Sequence, residues 1–330
     1  MNATSAAAHV PVHVLVTGGA GFIGTHLVAA LLADHPDVRI TVIDDFSSGF
    51  PHPVLDDPRV RVLRGDVASP DVLDAAFEHP PQWVFHLAAL FANQNSVEHP
   101  EEDLHTNGHG ILRALEWSRR AGVRRFVYAS SSCIYRPSSD PYTEDMPFRP
   151  ETPYGITKFL GEQYAEFFHA YHRLQTVVVR YFNVYGPGDR PGAYRSVIPN
   201  FLERAFRGEA LTITGDGTET RDFTYVGDIV AGTIAAARTE AAIGGIFNLG
   251  TGRETPMLRL AQEINAAAGN AAGIEFVPRR AWDGISRRVA SIEKARRVLG
   301  YDPRTTLEDG LAATAAWYRD FAAAQGRDRS

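Results

Sequence analysis

The feature that most constrains the fold is the stretch TGGAGFIG, where Gly18, Gly21 and Gly24 recur at every third position. It follows the β-branched run HVLV and leads into the helical pattern GTHLVAALLAD, after which ITVID is typical of a second strand. Glycine permits a tight turn and a close backbone approach between a strand and a helix. The stretch therefore predicts a strand-helix-strand unit, which is the start of a parallel sheet.

Asp44 indicates what this turn binds. The free N–H groups and the positive dipole end of the first helix suit a pyrophosphate. Asp44 lies at the end of the second strand, 20 residues beyond Gly24, where a carboxylate can accept hydrogen bonds from ribose hydroxyls. Asp44 would repel a 2′-phosphate and no arginine directly follows it, so we expect NAD rather than NADP as the cofactor.

Alternating strand and helix patterns continue along the chain. Buried-strand runs occur at RVRVL, WVFHLAA, RRFVYASSS and TVVVRYFNV, and helical patterns such as TNGHGILRALEWSRRAG and GITKFLGEQYAEFFHAYHR lie between them. After about residue 187 the chain turns to loops rich in Gly, Pro and Asp. The order predicts an α/β fold, a Rossmann-like doubly wound parallel sheet with a smaller C-terminal lobe. We expect residues 1–186 to form mainly the NAD-binding domain and residues 187–330 mainly the substrate-binding lobe, with some chain crossing back.

Composition excludes several classes of partner. The net charge of −6 argues against a bulk electrostatic footprint for nucleic acid or an anionic membrane. One cysteine in 330 residues cannot form an intrachain disulfide or a Cys-based metal site, so we expect no metal and a reducing, cytoplasmic compartment. The first residues lack a basic region, and their apolar run is too short for a membrane span. We therefore expect no membrane association.

Tyr154 and Lys158 stand four residues apart in the helical pattern YGITK, so both side chains project from one face. A free phenol titrates near pH 10, and a base near neutrality needs its phenolate stabilised by about three units, or roughly 4 kcal/mol. A neighbouring ammonium and a cationic nicotinamide could supply that stabilisation. Behind a predicted NAD site and a serine-rich strand end, the pair predicts a catalytic base.

The ordered motifs of the chain resemble the extended short-chain dehydrogenase/reductase family, and within it the branch of nucleotide-sugar epimerases and dehydratases. The motifs that carry the resemblance are TGGAGFIG, IDDFSSG, GDV, HLAA, YASSSCIY, YGITK, RYFNVYGPG, GDGTETRDFTYVGDI, FNLGTG and KARRVLGYDP. The resemblance implies a nucleotide-diphosphate sugar as substrate and NAD as cofactor. It also implies that the C-terminal lobe binds the nucleotide sugar.

The resemblance assigns roles to individual residues. Ser131 would hydrogen-bond the sugar's 4-oxygen, Tyr154 would take the 4-hydroxyl proton, and Lys158 would hold the nicotinamide ribose. The residues implied for the cofactor are Gly18, Gly21, Phe22, Ile23, Gly24, Asp44, Asp45, Ser48, Asp66, Val67, Leu87, Ala88, Ala89, Tyr154, Lys158 and Tyr181. The residues implied for the substrate are Ser132, Asn183, Ser196, Val197, Thr212, Arg221, Arg280 and Arg288.

The arginines implied for the diphosphate are unequally defined. Arg221 matches the position of the family's first diphosphate arginine, and a pyrophosphate needs fixed cations. The second position falls in the stretch RAWDGISRR, which departs from the family's R-P-G-D and carries one extra residue. Arg280, Arg287 and Arg288 are all candidates for it.

The two residues after Ser131 separate the reactions of the branch. Dehydratases that resemble this chain place Asp and then Glu there, an acid for the leaving 6-hydroxyl and a base for the C5 proton. Decarboxylases also place Glu at the second position. Here the two positions hold Ser132 and Cys133, which disfavours a 4,6-dehydratase or a decarboxylase.

Two interpretations of Cys133 stay open. As a small packing residue it leaves plain 4-epimerisation through a transient 4-keto sugar. Alternatively, SSCIY is similar to the motif of GDP-mannose 3,5-epimerases, so the thiol would move a proton at C5 or C3 next to the ketone. Those epimerases pair the cysteine with a lysine whose position holds Gly192 here, and Arg190 and Arg195 nearby are poor proton donors. We expect 4-epimerisation first and a C5 or C3/C5 epimerase as the alternative.

The stretch LAALFANQNS contains side chains that would face the sugar or only cap backbone groups, namely Phe91, Asn93, Gln94 and Asn95. His86, which precedes it, is expected to pack under the sheet rather than to act in catalysis.

Two other classes of NAD-binding protein are alternatives to an epimerase. A ketoreductase would exchange its cofactor at each turnover, and an NAD-binding sensor or scaffold need not keep Ser131, Tyr154 and Lys158 together. All three are present, which favours an enzyme. The apolar faces of the helical patterns at 108–120 and 157–172 are similar to those that pair in dimers of the family, so we expect a homodimer.

Overall fold

The structure is a computed structural model that describes residues 13–91, 93–194, 196–278 and 286–327. Its strands, in chain order, are β1 His13–Thr17, β2 Arg39–Asp44, β3 Val60–Arg64, β4 Trp83–His86, β5 Arg125–Ser131, β6 Thr176–Tyr181, β7 Val184–Tyr185, β8 Leu211–Thr214, β9 Thr220–Arg221, β10 Thr224–Tyr225, β11 Ile246–Leu249, β12 Thr255–Pro256, β13 Ile274–Val277 and β14 Arg287–Arg288.

The α-helices are α1 Phe22–Asp34, α2 Pro70–Phe77, α3 Asn93–Glu98, α4 Pro100–Asp103, α5 Gly110–Arg120, α6 Pro153–His172, α7 Val197–Phe206, α8 Val226–Arg238, α9 Met257–Ala268, α10 Glu293–Leu299 and α11 Leu307–Arg327. A π-helical turn, Leu104–His109, joins α4 to α5. Short 3₁₀ helices occur at Pro53–Asp56, Ser132–Ile134 and Glu240–Ala242.

The main sheet of the described residues has seven parallel strands in the order β11-β6-β5-β4-β1-β2-β3. The chain leaves β1 toward β2 and β3, and then returns to place β4 on the other side of β1. Strand order therefore reverses at β1, which is the usual ligand-binding point of a doubly wound sheet. The predicted Rossmann-like fold is confirmed.

Both faces of this sheet are buried, because alternate strand residues serve opposite layers. Val14 and Val16 of β1 pack in a cluster with α1 and α8, while Leu15 packs with α2, α5 and α6. Val127 and Phe126 of β5 divide in the same way. Burial on both faces explains why these strands are continuous apolar runs in the sequence.

A third apolar cluster lies among α7, α9, α11, β8 and β13. Strands β8 and β13 pair in parallel beside it, and β9 pairs with both β12 and β14. All of these elements follow residue 187, whereas β11 and α8, also late in the sequence, pack on the main sheet. The division into residues 1–186 and 187–330 stays a prediction.

Candidate active site

The glycine turn between β1 and α1 leaves no room for side chains. Gly18 has φ +70°, and a Cβ there would lie 2.7 Å from the backbone nitrogen of Ala88. A Cβ on Gly24 would lie 2.1 Å from the carbonyl oxygen of Gly18. Gly21 caps α1 without a side-chain hydrogen bond, so the first N–H groups of the helix stay available to an anion.

Asp44 stands at the end of β2 beside this turn and is buried. Its carboxylate accepts hydrogen bonds from the backbone N–H groups of Ala20 and Phe46, both over 2.9 Å. Burial raises the pKa of Asp44, and the hydrogen bonds from Phe46 and Ala20 oppose that shift. The carboxylate is therefore fixed in orientation where it borders the cavity.

Asp66 and Val67 follow β3 and border the same cavity. One Asp66 oxygen accepts from the N–H of Ala68 over 2.8 Å, and the other lies 2.6 Å from Nε2 of His105. His105 was not predicted from the sequence, because it reaches Asp66 from the π-helical turn 39 residues away.

Helix α6 carries Tyr154 and Lys158 in its first two turns. Thr152 caps the helix by accepting a hydrogen bond from the N–H of Gly155 over 3.2 Å, and Pro153 occupies the first position, which favours a helix start at that point. Both side chains are buried, and the Lys158 Nζ lies 5.7 Å from the centre of the Tyr154 ring.

The surroundings shift both of these groups. Burial lowers the pKa of Lys158 to about 8, and its ammonium donates to the carbonyl oxygen of Ala129 over 2.9 Å. Burial raises the pKa of Tyr154, and a hydrogen bond with Ser131 opposes that shift. Ser131 ends β5 and accepts a hydrogen bond from the N–H of Cys133 over 3.2 Å. A phenol, an ammonium and a hydroxyl therefore meet at the carboxyl end of the sheet.

His86 is packed under the sheet, as predicted. Its Nδ1 lies 3.0 Å from the Thr17 hydroxyl, its ring is buried, and burial lowers its pKa to about 3. The imidazole is therefore neutral near pH 7.

One cavity of about 1780 Å³ collects the predicted site residues. Every residue implied for catalysis, cofactor or substrate borders it except Arg280, which lies outside the described residues. The cavity extends from the glycine turn to the elements after residue 187. It is bordered on the way by Ser48, Leu87, Ser132, Val197 and Thr212. A cavity of this volume could hold a dinucleotide and a nucleotide sugar together.

Three other residues that border the cavity are fixed by their own contacts. The Tyr181 hydroxyl lies 2.9 Å from that of Thr233, and the Asn183 amide donates to the carbonyl oxygen of Asp222 over 3.1 Å. The Ser196 hydroxyl donates to Asp189 over 2.9 Å. Their predicted ligand contacts stay predictions.

Of the three candidate arginines, Arg280 lies outside the described residues, and the other two differ in their surroundings. Arg288 lies opposite Arg221 in the β9–β14 pair, and both border the cavity. Arg287 is turned instead to Glu254 and to the carbonyl oxygen of Ser139. The side chain of Arg288 is 8% exposed, and its Nε has no hydrogen-bond partner among the described residues. Of the two candidates that the structure describes, Arg288 is therefore the one placed to bind an anion beside Arg221.

Cys133 has polar neighbours. Its Sγ lies 3.5 Å from Nη1 of Arg288 and 3.6 Å from Nδ2 of Asn93, and both groups donate to it. The residue is partly exposed and borders the cavity. Its sulfur therefore sits between an amide and a guanidinium, an environment that the sequence alone did not indicate.

Phe91, just before α3, and the first residues of α3 contribute both expected kinds of side chain. Phe91 is 41% exposed, borders the cavity and meets the Tyr154 ring edge-on at 5.8 Å between centres. Asn93 and Gln94 border the cavity as well. Asn95 instead caps the backbone by donating to the carbonyl oxygen of Phe91 over 3.1 Å.

A buried ion pair behind the site was also not predicted. Glu162 accepts from Nε and Nη2 of Arg180 over 2.9 and 2.7 Å, and it accepts from the Ser130 hydroxyl. Arg180 donates to the Tyr135 hydroxyl over 2.6 Å. The network ties α6 to β5 and β6 at Ser130, the residue before Ser131. The only sequence signal for it is Glu162, one helical turn after Lys158.

The model of the NAD dependent epimerase/dehydratase family matches residues 14–250. The chain belongs to this family. The family resemblance read from the motifs is thereby confirmed.

Similar proteins match over nearly the whole chain. A UDP-glucose 4-epimerase of Mycolicibacterium smegmatis is 36% identical over 93% of this chain and 98% of its own length. An epimerase structure from Methanothermobacter thermautotrophicus has a TM-score of 0.90 at 43% identity, covering 94% of this chain and 93% of that one. A UDP-glucose 4-epimerase structure from Thermotoga maritima, with UDP-glucose, has a TM-score of 0.89 at 34% identity, covering 94% and 99%.

NAD is the cofactor, since the family is NAD dependent and several similar structures are complexes with NAD. Relatives with other activities also match. A dTDP-glucose 4,6-dehydratase of Streptomyces griseus is 36% identical over 93% of this chain and 94% of its own length. Family membership therefore supports an enzyme acting on nucleotide sugars, and the residues of the site must distinguish between reactions.

In the part of the chain that the structure describes, no group of three or more His, Cys, Asp or Glu side chains is placed to hold a metal ion. None of the described helices is both long and apolar enough to cross a membrane.

Proposed function

We propose that this protein is an NAD-dependent nucleotide-sugar 4-epimerase, which inverts C4 of an NDP-hexose or NDP-hexuronate through a transient 4-keto sugar. The observation that carries the proposal is the composition of the reactive end of the cavity. Ser131, Tyr154 and Lys158 meet there, while Ser132 and Cys133 occupy the positions where a dehydratase would need an acid and a base.

The residues fit NAD. Glycine at positions 18 and 24 lets the backbone turn tightly into α1, the free N–H groups at the start of that helix suit a pyrophosphate, and Asp44 offers a carboxylate to a ribose. When bound there, NAD would supply the hydride chemistry, with transfer from the sugar's C4 and return to the same carbon.

The chain's own residues transfer the proton of the 4-hydroxyl. Tyr154 removes the proton of the 4-hydroxyl and gives it back to the 4-oxygen after the ring has turned. Ser131 hydrogen-bonds the 4-oxygen, and the Lys158 ammonium stabilises the phenolate form of Tyr154. Because burial raises the pKa of Tyr154, the base depends on this stabilisation.

Arg221 and Arg288 hold the substrate diphosphate with two guanidinium groups, an arrangement suited to a pyrophosphate. Thr212 in β8 and Val197 in α7 border the cavity near its nucleoside end. Phe91 borders it near the hexose, beside Tyr154.

A second candidate function is C5 or C3/C5 epimerisation. Asn93 and Arg288 hold the Cys133 sulfur at the reactive end, a position from which a thiol could move a proton at carbon next to the 4-ketone. No lysine accompanies it at Gly192, which favours the first candidate.

Proton NMR of the protein with UDP-, dTDP-, GDP- and CDP-hexoses and hexuronates in D₂O separates the two. Inversion at C4 without solvent deuterium in the product supports the 4-epimerase, provided that Cys133→Ala leaves the rate of inversion within the same order of magnitude. Deuterium at C5 or C3 that disappears in Cys133→Ala supports the alternative. A 4-keto-6-deoxy product, formed by loss of the 6-hydroxyl as water, would contradict both.

We also propose a homodimer formed through α6, and a cytoplasmic location in keeping with the single cysteine. Ile156, Phe167 and Tyr171 are exposed along one stripe of α6, and Leu104 is exposed beside it. An apolar stripe of this kind is typical of a covered face. Light scattering should give twice the chain mass for the wild type and a lower mass for Phe167→Glu. A monomeric wild type would contradict the dimer.

A further inference from the structure

A buried carboxylate, Asp103, lies behind the reactive pair and belongs to none of the motifs in the sequence. Its side chain is fully buried at the end of α4, where the chain enters the π-helical turn. Burial of a carboxylate is costly unless polar groups satisfy it, and π-helical turns frequently mark functional sites.

Both oxygens of Asp103 accept hydrogen bonds from neutral donors. The Thr157 hydroxyl donates to one over 2.6 Å, and Nδ2 of Asn107 donates to the other over 2.8 Å. Asn107 also accepts from the N–H of Leu90 over 2.8 Å and donates to its carbonyl oxygen over 3.2 Å. An ionised carboxylate accepts both of these bonds, and the two neutral donors fix its place without neutralising it.

Lys158 follows Thr157 directly in α6. The titratable and charged groups that interact with Lys158 come from each element packed around it: Tyr154 and Glu162 of α6, Tyr128 of β5, His86 of β4, Cys133 of the 3₁₀ turn, and Asp103 of α4. Among them, Glu162 is already matched by Arg180 in a two-pronged ion pair, and His86 is neutral near pH 7.

This leaves Asp103 as the carboxylate with the greater effect on the ammonium. Burial lowers the pKa of Lys158, and the charge of Asp103 is the largest of the effects that raise it. In return, burial raises the pKa of Asp103 and the charge of Lys158 opposes that shift. The charge of Asp103 also raises the pKa of Tyr154.

We propose that Asp103 is a positioning residue of the reaction, whose buried charge, fixed by Thr157 and Asn107, keeps the Lys158 ammonium charged beside Tyr154. Its effect on turnover rests on the proposed function. Its effect on Lys158 does not depend on which reaction the site carries out.

The variant Asp103→Asn removes the charge and can keep the hydrogen bonds. The new amide would accept from Asn107 and donate to the Thr157 hydroxyl, which can then donate to the carbonyl oxygen of Tyr154, 3.2 Å away. Removal of the charge lowers the pKa of both Lys158 and Tyr154. We expect both limbs of the pH profile of kcat to move about one pH unit lower.

A direct readout comes from the lysine count, because Lys158 and Lys294 are the two lysines of the chain. Selective ¹³C labelling of lysine in the full-length, NAD-loaded protein gives two sets of side-chain signals, which Lys158→Met assigns. In Asp103→Asn, the Lys158 titration should move about one pH unit lower than in the wild type, and Lys294 should not move. An unmoved Lys158 titration would overturn the proposal.

Asp222→Asn is the matched control, since Asp222 is also fully buried and accepts from the Thr251 hydroxyl over 2.6 Å. It should leave the Lys158 titration in place, and an equal shift there would overturn the proposal by showing a general effect. If Asp103→Asn does not fold, Asp103→Ser removes the same charge and must give the same shift.

The two proposals fail separately. If Lys158 moves as expected but no nucleotide sugar is inverted at C4, the proposed function fails and the role of Asp103 toward Lys158 stands. If C4 is inverted and Lys158 does not move, the epimerase stands and the inference about Asp103 is wrong.

Discussion

Replacing Lys158 with methionine should make the NAD-free protein more stable at pH 7 while removing its activity. Burial lowers the pKa of Lys158 from its ordinary 10.5 to about 8. A difference of about 2.5 units corresponds to about 3 kcal/mol of folding free energy opposed by the charged lysine at pH 7. Methionine has a similar unbranched shape and carries no charge into the core.

Part of this gain is offset. The lysine donates to the carbonyl oxygen of Ala129 over 2.9 Å, and the loss of a partner by that buried carbonyl costs about 1 kcal/mol. The net stabilisation at pH 7 is therefore about 2 kcal/mol. Because the folded pKa of Lys158 is the lower one, the unfolded chain binds more protons between about pH 8 and 10.5, and the wild type gains stability with rising pH there.

Urea unfolding of the two proteins, stripped of NAD, measures this at pH 7 and at pH 10.5. With a slope of about 3 kcal/mol per M, the midpoint of Lys158→Met should be about 0.7 M higher at pH 7. Lys294→Met, at the other lysine, is the matched control and should show no such gain. A lower midpoint for Lys158→Met at pH 7, or a gain that persists unchanged at pH 10.5, would refute the reasoning.

Three further changes test separate parts of the site. Tyr154→Phe removes the proton acceptor, so kcat should fall about 10² to 10⁴-fold with NAD affinity retained, and a smaller loss by product chromatography would argue against Tyr154 as the base. Gly18→Ala places a methyl group 2.7 Å from the Ala88 nitrogen at φ +70°, so calorimetry should find that NAD binding is lost. Wild-type NAD affinity in this variant would show that the turn is not the pyrophosphate site. Arg288→Met should raise the KM for the nucleotide sugar more than tenfold, while Arg287→Met, which removes an arginine turned to Glu254, should not. Equal effects of the two variants in steady-state assays would contradict Arg288 as the diphosphate ligand.

The sheet was readable from the sequence because its strands are buried on both faces. Val14, Leu15 and Val16 serve alternate layers, so they form an unbroken apolar run. The glycine turn was readable for a similarly local reason: Gly18 and Gly24 are required by contacts of the backbone itself. Tyr154 and Lys158 lie in one motif, and the helix start at Pro153 places both on one face.

Contacts between distant residues could not be read in this way. Arg287 and Arg288 are neighbours in a two-residue strand, and successive strand residues point to opposite sides, so only the structure separates them. The donors to Cys133 come from positions 40 and 155 residues away in sequence. Asp103 depends on a π-helical turn, for which the sequence pattern gives no signal.

The central claim is hydride removal from C4 and its return to the same carbon. It is tested most directly with an NDP-hexose that carries deuterium at C4, followed by NMR of the product in ordinary water. The account predicts a product inverted at C4 that keeps the deuterium on C4. Deuterium moved to C6 would indicate a dehydratase, and its loss to solvent would contradict hydride return.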